Sequence, residues 1–112
     1  MQADAIVNRL MSCEYCVPRT LSKTVAAIGT PERISLTDEY FRKATIMGLK
    51  ADRTANTGII YLGVGATNDT QPFAIAAGAV IYINAPVGSR YNWKDWWLDA
   101  ATAADGVVIL YS

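Results

Sequence analysis

The stretch Thr57–Asn84, TGIIYLGVGATNDTQPFAIAAGAVIYIN, decides the fold class of this chain. Its two apolar runs, Gly58–Gly65 and Pro72–Asn84, are rich in Ile, Val and Tyr, whose side chains suit a pleated strand. A polar segment joins the runs, and glycines such as Gly63 and Gly78 mark the points where the chain turns. Neither run carries a helical signature. The stretch therefore predicts a hairpin-like pair of strands in a small, mostly β protein.

Composition predicts a single globular domain. Of the 112 residues, 52% are hydrophobic and 18% are charged, which allows a core and argues against general disorder. Ten basic and ten acidic residues cancel, without the clustered Lys and Arg of a nucleic-acid-binding protein. No apolar run approaches a membrane helix, and Met1-Gln-Ala-Asp-Ala lacks the pattern of a signal peptide. We therefore expect a protein that is made in a cytosol and kept there until it meets its partner, with no nucleic-acid or membrane partner.

Residues 1–23 form a segment of a different kind, an N-terminal arm. Ile6, Val7, Leu10 and Met11 would share one face of a short helix, and Pro18 would end any helix before it. Such a helix is marginal alone in water. Either the arm becomes ordered against a partner, which makes these four apolar side chains partner-binding residues, or it packs back on its own barrel.

The rest of the chain, residues 24–112, predicts a β domain. Before the central stretch we expect strands at Thr24–Ile28, at Glu32–Leu36 with Ile34 and Leu36 on one face, and at Arg42–Leu49 with Ala44, Ile46 and Gly48 inward. After it we expect a strand with an irregular start within Trp93–Ala100, and a final strand at Val107–Tyr111. The predicted fold is a small antiparallel β-sandwich or jelly-roll-like barrel, preceded by an arm with a short helix.

Three of these strands are apolar on both faces, namely Gly58–Leu62, Ala79–Ile83 and Val107–Tyr111. In a small antiparallel domain one face of a strand usually meets solvent and is polar. The second face is therefore covered either by sister subunits or by the other layer of one sandwich. We favour an oligomer because so short a chain buries little surface by itself, and a trimer because closed symmetry limits growth.

The sequence offers little for catalysis or metal binding. Cys13 and Cys16 form a Cys-x-x-Cys pair, but the chain has no His and no other Cys to complete a zinc site, and no redox fold is predicted around the pair. General acid–base catalysis near neutral pH usually employs His. We therefore expect two free thiols, no cofactor, no metal and no enzymatic activity.

Trp93, Trp96 and Trp97 form the densest aromatic group. Large rigid aromatic side chains contribute strongly to interfaces, so we interpret these residues first as partner-binding. Core packing and a platform for stacking sugars are the alternatives.

The order of these features resembles a known family. Asn56-Thr-Gly58 precedes Ile-Ile-Tyr61-Leu-Gly63, then come Pro72–Gly78 and an apolar strand, an aromatic segment ending Leu98-Asp-Ala, and Ala104–Ser112. This pattern over residues 24–112 resembles the small β-barrel virion structural proteins of tailed bacteriophages, including head decoration (cement) proteins.

The resemblance implies a barrel that trimerises or docks on a shell subunit, with an arm that reaches across its neighbour. It thus implies a homotrimeric virion protein that binds the major capsid protein or another virion protein. A head–tail or tail accessory protein and a carbohydrate-binding β-sandwich are the alternatives.

Overall fold

The computed structural model describes residues 17–67 and 70–112, and the regular secondary structure of this part of the chain is almost entirely β-strand. The strands are β1 Arg19–Thr24, β2 Glu32–Arg33, β3 Tyr40–Phe41, β4 Lys43–Met47, β5 Ile60–Gly63, β6 Phe73–Ile75, β7 Val80–Asn84, β8 Tyr91–Asn92, β9 Trp97–Ala100 and β10 Gly106–Tyr111. A 3₁₀ turn, Trp93–Asp95, lies between β8 and β9. The predicted all-β class is confirmed.

The strands form two four-stranded sheets and one short two-stranded ribbon. The first sheet has the order β1-β10-β4-β7, the second has the order β2-β9-β5-β6, and β3 pairs with β8. Every pairing between these strands is antiparallel. The predicted antiparallel architecture is therefore confirmed for the described residues.

The two sheets share one hydrophobic core. Alternate residues of each strand point into it, as in β10, where Val107, Ile109 and Tyr111 are buried and Leu110 is exposed. Strands of both sheets contribute to the same cluster, whose largest fully buried members are Trp93, Phe41, Ile46, Ile60, Leu62, Ile75, Leu98 and Ile109.

Several predicted elements are confirmed with small shifts in their bounds. Within the third predicted strand, β4 spans Lys43–Met47, and Ala44, Ile46 and Gly48 are all buried as expected. The final strand is present as β10. The segment Trp93–Ala100 does begin irregularly, with the 3₁₀ turn, and continues as strand β9.

The predicted strand at Thr24–Ile28 is wrong. Strand β1 lies at Arg19–Thr24 instead, so its first five residues belong to the segment that we had assigned to the arm. The register with β10 places Leu21 opposite Ile109, on the core side of the sheet. Beyond Thr24, one further backbone bond joins the Val25 N–H to the Asp105 carbonyl (2.9 Å), and the chain then leaves the sheet.

The predicted strand at Glu32–Leu36 is shortened to Glu32–Arg33. Ile34 is buried, but Leu36 is 81% exposed, so the two do not share a buried face. The Ser35 hydroxyl donates to the Thr37 carbonyl (2.8 Å) and accepts from the Thr37 N–H (3.2 Å). This local turn competes with the strand and ends it.

The predicted hairpin in Thr57–Asn84 is confirmed in part. Strand β5 pairs with β6, as a hairpin across the polar segment requires. Strand β7, however, pairs with β4 in the other sheet. The chain changes sheets at Gly78, whose φ of +74° lies in the left-handed region that glycine adopts without strain.

Candidate interaction surface

The outer face of the first sheet carries two parallel rows of uncharged side chains. The register aligns Thr20, Leu110, Thr45 and Tyr82 in one row, and Ser22, Val108, Met47 and Val80 in the other. Tyr82 is 73% exposed and Leu110 is 46% exposed. We call these eight residues the outer face. An exposed, uncharged face that carries several apolar side chains is typical of a protein–protein contact.

The second sheet has a different outer surface. The same alternation places Arg33, Tyr61, Trp97 and Asp99 outward, so this surface carries charge. Asp99 is buried there because its carboxylate accepts the Gly29 N–H (3.0 Å) from the loop before β2. The Arg33 guanidinium lies 5.0 Å from the Trp97 ring centroid and partly covers it. The two sheets therefore differ, and only the first presents an uncharged face.

The tryptophan group is mainly part of the core. Trp93 is fully buried and Trp96 is 8% exposed, while Trp97 is half-buried beneath Arg33. The Trp93 ring stacks on Phe41 at 3.9 Å and meets Trp96 edge-on at 6.1 Å. Our interpretation of Trp93 and Trp96 as interface residues is wrong for the structure described, because their rings are already enclosed by their own chain. Trp93 and Trp96 therefore offer little exposed ring surface on which a sugar could stack, and the roles expected for Trp97 stay predictions.

The 3₁₀ turn explains why sequence periodicity missed this packing. A 3₁₀ turn has three residues per turn, so Trp93 and Trp96 lie on the same side. The strand expected within Trp93–Ala100 does not pair these two positions, because a strand brings every second residue to the same face. Asn92 caps the turn, since its side-chain oxygen accepts the N–H groups of Lys94 (3.1 Å) and Glu39 (3.1 Å).

A buried polar cluster near the start of β10 has a structural role. The fully buried Asp105 carboxylate accepts the N–H groups of Thr57 (2.9 Å) and Gly58 (2.7 Å). The Asn56 amide donates to the Gly106 carbonyl (2.7 Å) and accepts the Gly106 N–H (3.1 Å). Each of these side chains is satisfied by backbone groups, so the cluster fastens the segment before β5 to β10.

Ionisable groups near the ends of β1 are arranged in pairs. The Tyr111 hydroxyl donates to the Glu39 carboxylate (3.2 Å), which also lies 3.4 Å from the Arg19 guanidinium. Burial and, second, the negative charge of Glu39 raise the pKa of Tyr111. The Glu32 carboxylate accepts the Ala26 N–H (2.7 Å) and lies 3.2 Å from the Lys23 ammonium. The Ala26 hydrogen bond is the main cause that lowers the pKa of Glu32.

Several sequence-based site predictions lie outside the described residues. Ile6, Val7, Leu10, Met11, Cys13 and Cys16 all precede Val17, so their proposed roles stay predictions. Within residues 17–67 and 70–112, no three His, Cys, Asp or Glu side chains are grouped so that they could hold a metal ion. In the same ranges, no helix has the length and apolar character needed to cross a membrane.

Comparison with protein-family models, with curated proteins and with solved structures finds no match to this chain.

Proposed function

We propose that this protein is a structural, non-catalytic component of a phage particle, of the head decoration type, and that it works by binding other virion proteins. The observation that carries the proposal is the outer face of the first sheet. All eight of its side chains are uncharged, and four of them, Leu110, Val108, Met47 and Val80, are aliphatic or thioether side chains. Such a face is suited to lie against the protein shell.

The composition of the outer face also suits this role. Its apolar side chains are interleaved with the hydroxyls of Thr20, Ser22 and Thr45, which remain compatible with water before the contact forms. Lys43 lies just beyond the two rows, opposite Asn84, and gives the face a polar boundary. A central apolar area with a polar rim is the usual anatomy of a protein interface. The major capsid protein is the proposed partner, and the N-terminal arm is a second proposed contact.

The first prediction tests this face with one charge. Leu110→Lys places an ammonium in the middle of the outer face, on a strand with neighbours on both sides. Because Leu110 is already 46% exposed, the isolated protein should stay folded. Burying the unpaired charge against a shell should weaken binding by about 2 kcal/mol or more, roughly 30-fold. The measurement is the number of copies of the variant bound per particle, on phage particles made by the cell that carries the gene and purified by sedimentation.

Leu36→Lys is the matched control for this measurement. It makes the same chemical change at a side chain that is 81% exposed and lies in a loop away from the outer face. We expect full occupancy for Leu36→Lys and reduced occupancy for Leu110→Lys. Equal occupancy of the two variants, or the absence of the wild-type protein from purified particles, contradicts the proposed function.

A further inference from the structure

Strand β7 has a neighbouring strand on one side only within the part of the chain that the structure describes. It ends the order of the first sheet and pairs with β4 alone. Two backbone hydrogen bonds fix which of its residues face β4: the Gly48 N–H donates to Ala79 (2.9 Å), and the Ala85 N–H donates to Arg42 (2.7 Å). Because hydrogen-bonded pairs alternate along an antiparallel ladder, every second residue from Ala79 onward bonds to β4.

The remaining residues of β7 direct their backbone groups away from the sheet. The N–H and C=O groups of Val80, Tyr82 and Asn84 point toward the open edge, where the described residues provide no hydrogen-bond partner. Three donors and three acceptors repeat there at two-residue intervals, about 7 Å apart. Another extended strand offers the same repeat, as in recognition by strand addition.

This edge lacks the features that usually prevent strands from pairing. The other edge of the first sheet, β1, carries Arg19 and Lys23. In the second sheet, edge strand β2 consists of two charged residues, and β6 has three residues and directly follows Pro72. Strand β7, with the sequence VIYIN, has five residues, no charge and no proline. Charges, prolines and short length are the means by which proteins protect sheet edges, and β7 has none of them.

We propose that β7 pairs with β7 of a second copy of this chain, antiparallel, around a twofold axis beside Tyr82. When all five residues of β7 pair, Tyr82 lies opposite Tyr82 of the second copy, and Val80 lies opposite Asn84. It lets the same three residues of each copy satisfy one another's outward N–H and C=O groups. The first sheets of the two copies then form one continuous eight-stranded sheet.

The side chains of β7 are compatible with this self-pairing. Because the strand is uncharged, no like charges meet across the axis. On the inner side, Ile81 of one copy lies opposite Ile83 of the other, at the mouth of an apolar groove between the edges of the two sheets. Side chains that line this groove include Phe73, Ile81, Ile83, Tyr91 and Trp96. Phe73 is 54% exposed there and would be covered by the second copy.

The symmetry follows from the kind of contact. A strand that pairs with its own copy makes an isologous contact, which closes at two subunits. The edge therefore favours a dimer over the trimer that we expected from the sequence. The twofold axis runs perpendicular to the sheet, so both outer faces lie on the same side. The inference rests on the edge of β7 and does not require the proposed function, although a dimer would present twice the outer face to a shell.

The second prediction tests the backbone pairing. Tyr82→Pro removes an N–H that points to the open edge, so it leaves the bonds between β7 and β4 intact. By symmetry, two hydrogen bonds of the dimer are lost, and its dissociation constant should rise roughly 30- to 100-fold. Tyr82→Thr keeps the N–H and the strand propensity and should weaken the dimer only about two- to fivefold. Sedimentation equilibrium of the full chain at micromolar concentration measures both variants.

We expect the wild-type protein to have the mass of two 12.1 kDa chains. A monomeric or trimeric wild type, or a Tyr82→Pro variant as dimeric as Tyr82→Thr, overturns the proposal.

Leu110→Lys should remain dimeric even if it no longer binds particles, since Leu110 lies two strands from the edge. If Leu110→Lys is monomeric, the copies associate through the outer face and edge pairing is overturned. Particle binding and dimer formation are thus measured separately, so the proposed function and the proposed dimer can fail independently.

Disulfide trapping tests the register and applies even if Tyr82→Pro does not fold. In a variant whose Cys13 and Cys16 are both replaced by Ser, Tyr82→Cys places one thiol on each side of the axis. The two Cα atoms are about 5.5 Å apart, within reach of a disulfide. Thr45→Cys is the control, because it lies one strand further in and about 14 Å from its copy. Oxidation should link the Tyr82→Cys chains in pairs and leave the Thr45→Cys chains unlinked. No link in either variant, or equal linking in both, overturns the proposed register.

Discussion

At the residue scale, single polar side chains hold the sandwich together where its strands do not pair. Asn56 is 5% exposed, and its amide makes both an accepting and a donating hydrogen bond with the backbone of Gly106. Gly106 itself leaves no room for a side chain, since an added Cβ would meet the Lys23 carbonyl. Asp105 is needed because its buried carboxylate accepts backbone N–H groups, and Gly106 is needed because β1 approaches too closely for a side chain.

The third prediction concerns Asn56. Asn56→Ala leaves the buried N–H and C=O groups of Gly106 without their partners, which should lower the free energy of unfolding by about 2–4 kcal/mol. Thr30→Ala, in an exposed loop, is the control and should change the stability by less than about 0.5 kcal/mol. Urea unfolding monitored by tryptophan fluorescence measures both variants. Equal midpoints would show that the Asn56 bonds contribute nothing to stability.

The fourth prediction concerns pH. Because the pKa of Glu32 is lowered in the folded state, its ionised carboxylate stabilises the fold above the unfolded value, about 4.3. This contribution is lost as the pH falls through the lower, folded pKa. Glu32→Gln should therefore be less stable than the wild type at pH 7, by roughly 1 kcal/mol, with a smaller difference in acid. Thermal unfolding from pH 7 to pH 3 measures the difference.

Asp95→Asn is the control for the pH series. Asp95 is exposed, and its side chain has no hydrogen bond or ion pair among the described residues. The stability of Asp95→Asn should stay close to that of the wild type from pH 7 to pH 3. A Glu32→Gln difference that is constant with pH contradicts the assigned role of the carboxylate.

At the element scale, strand alternation was predictable and strand boundaries were not. The pattern Ala44, Ile46, Gly48 identifies the inner side of β4 because a strand points every second residue to one face. Strand β1 was missed because RTLSKT carries little apolar alternation, and its pairing with β10 determines its position. The transfer of β7 to the other sheet follows from contacts distant in sequence, which periodicity does not report.

The tryptophan segment shows the same limit for the candidate site. A strand with an irregular start was predictable from Trp93–Ala100, and β9 confirms it. The burial of Trp93 and Trp96 depends on three residues per turn and on Phe41, which lies far away in the chain. For the outer face, the sequence shows only that some strands are apolar on both sides. It does not show which residues lie side by side, because the two rows join residues from four separate strands.

At the scale of the whole molecule, the two sheets differ in how much of their outer surface the chain itself covers. The loop before β2 and the Arg33 side chain cover part of the second sheet. The first sheet presents an uncharged face and an unprotected edge, at right angles to each other. We infer that the side chains of the face bind a shell and that the backbone edge of β7 joins two copies. Val80 and Tyr82 belong to both, through their side chains in the first contact and their backbone groups in the second.

Hydroxyl-radical footprinting of the protein, free and bound to particles, tests the proposed interface most directly, as the fifth prediction. The method reports the solvent exposure of Leu, Met, Tyr and Val side chains. We predict that Leu110 and Met47, at the centre of the outer face, become protected on binding, while Leu36 and Val64, which are exposed elsewhere, react as before. Protection of Leu36 and Val64 with Leu110 and Met47 unchanged would contradict the assignment of the outer face as the site of attachment.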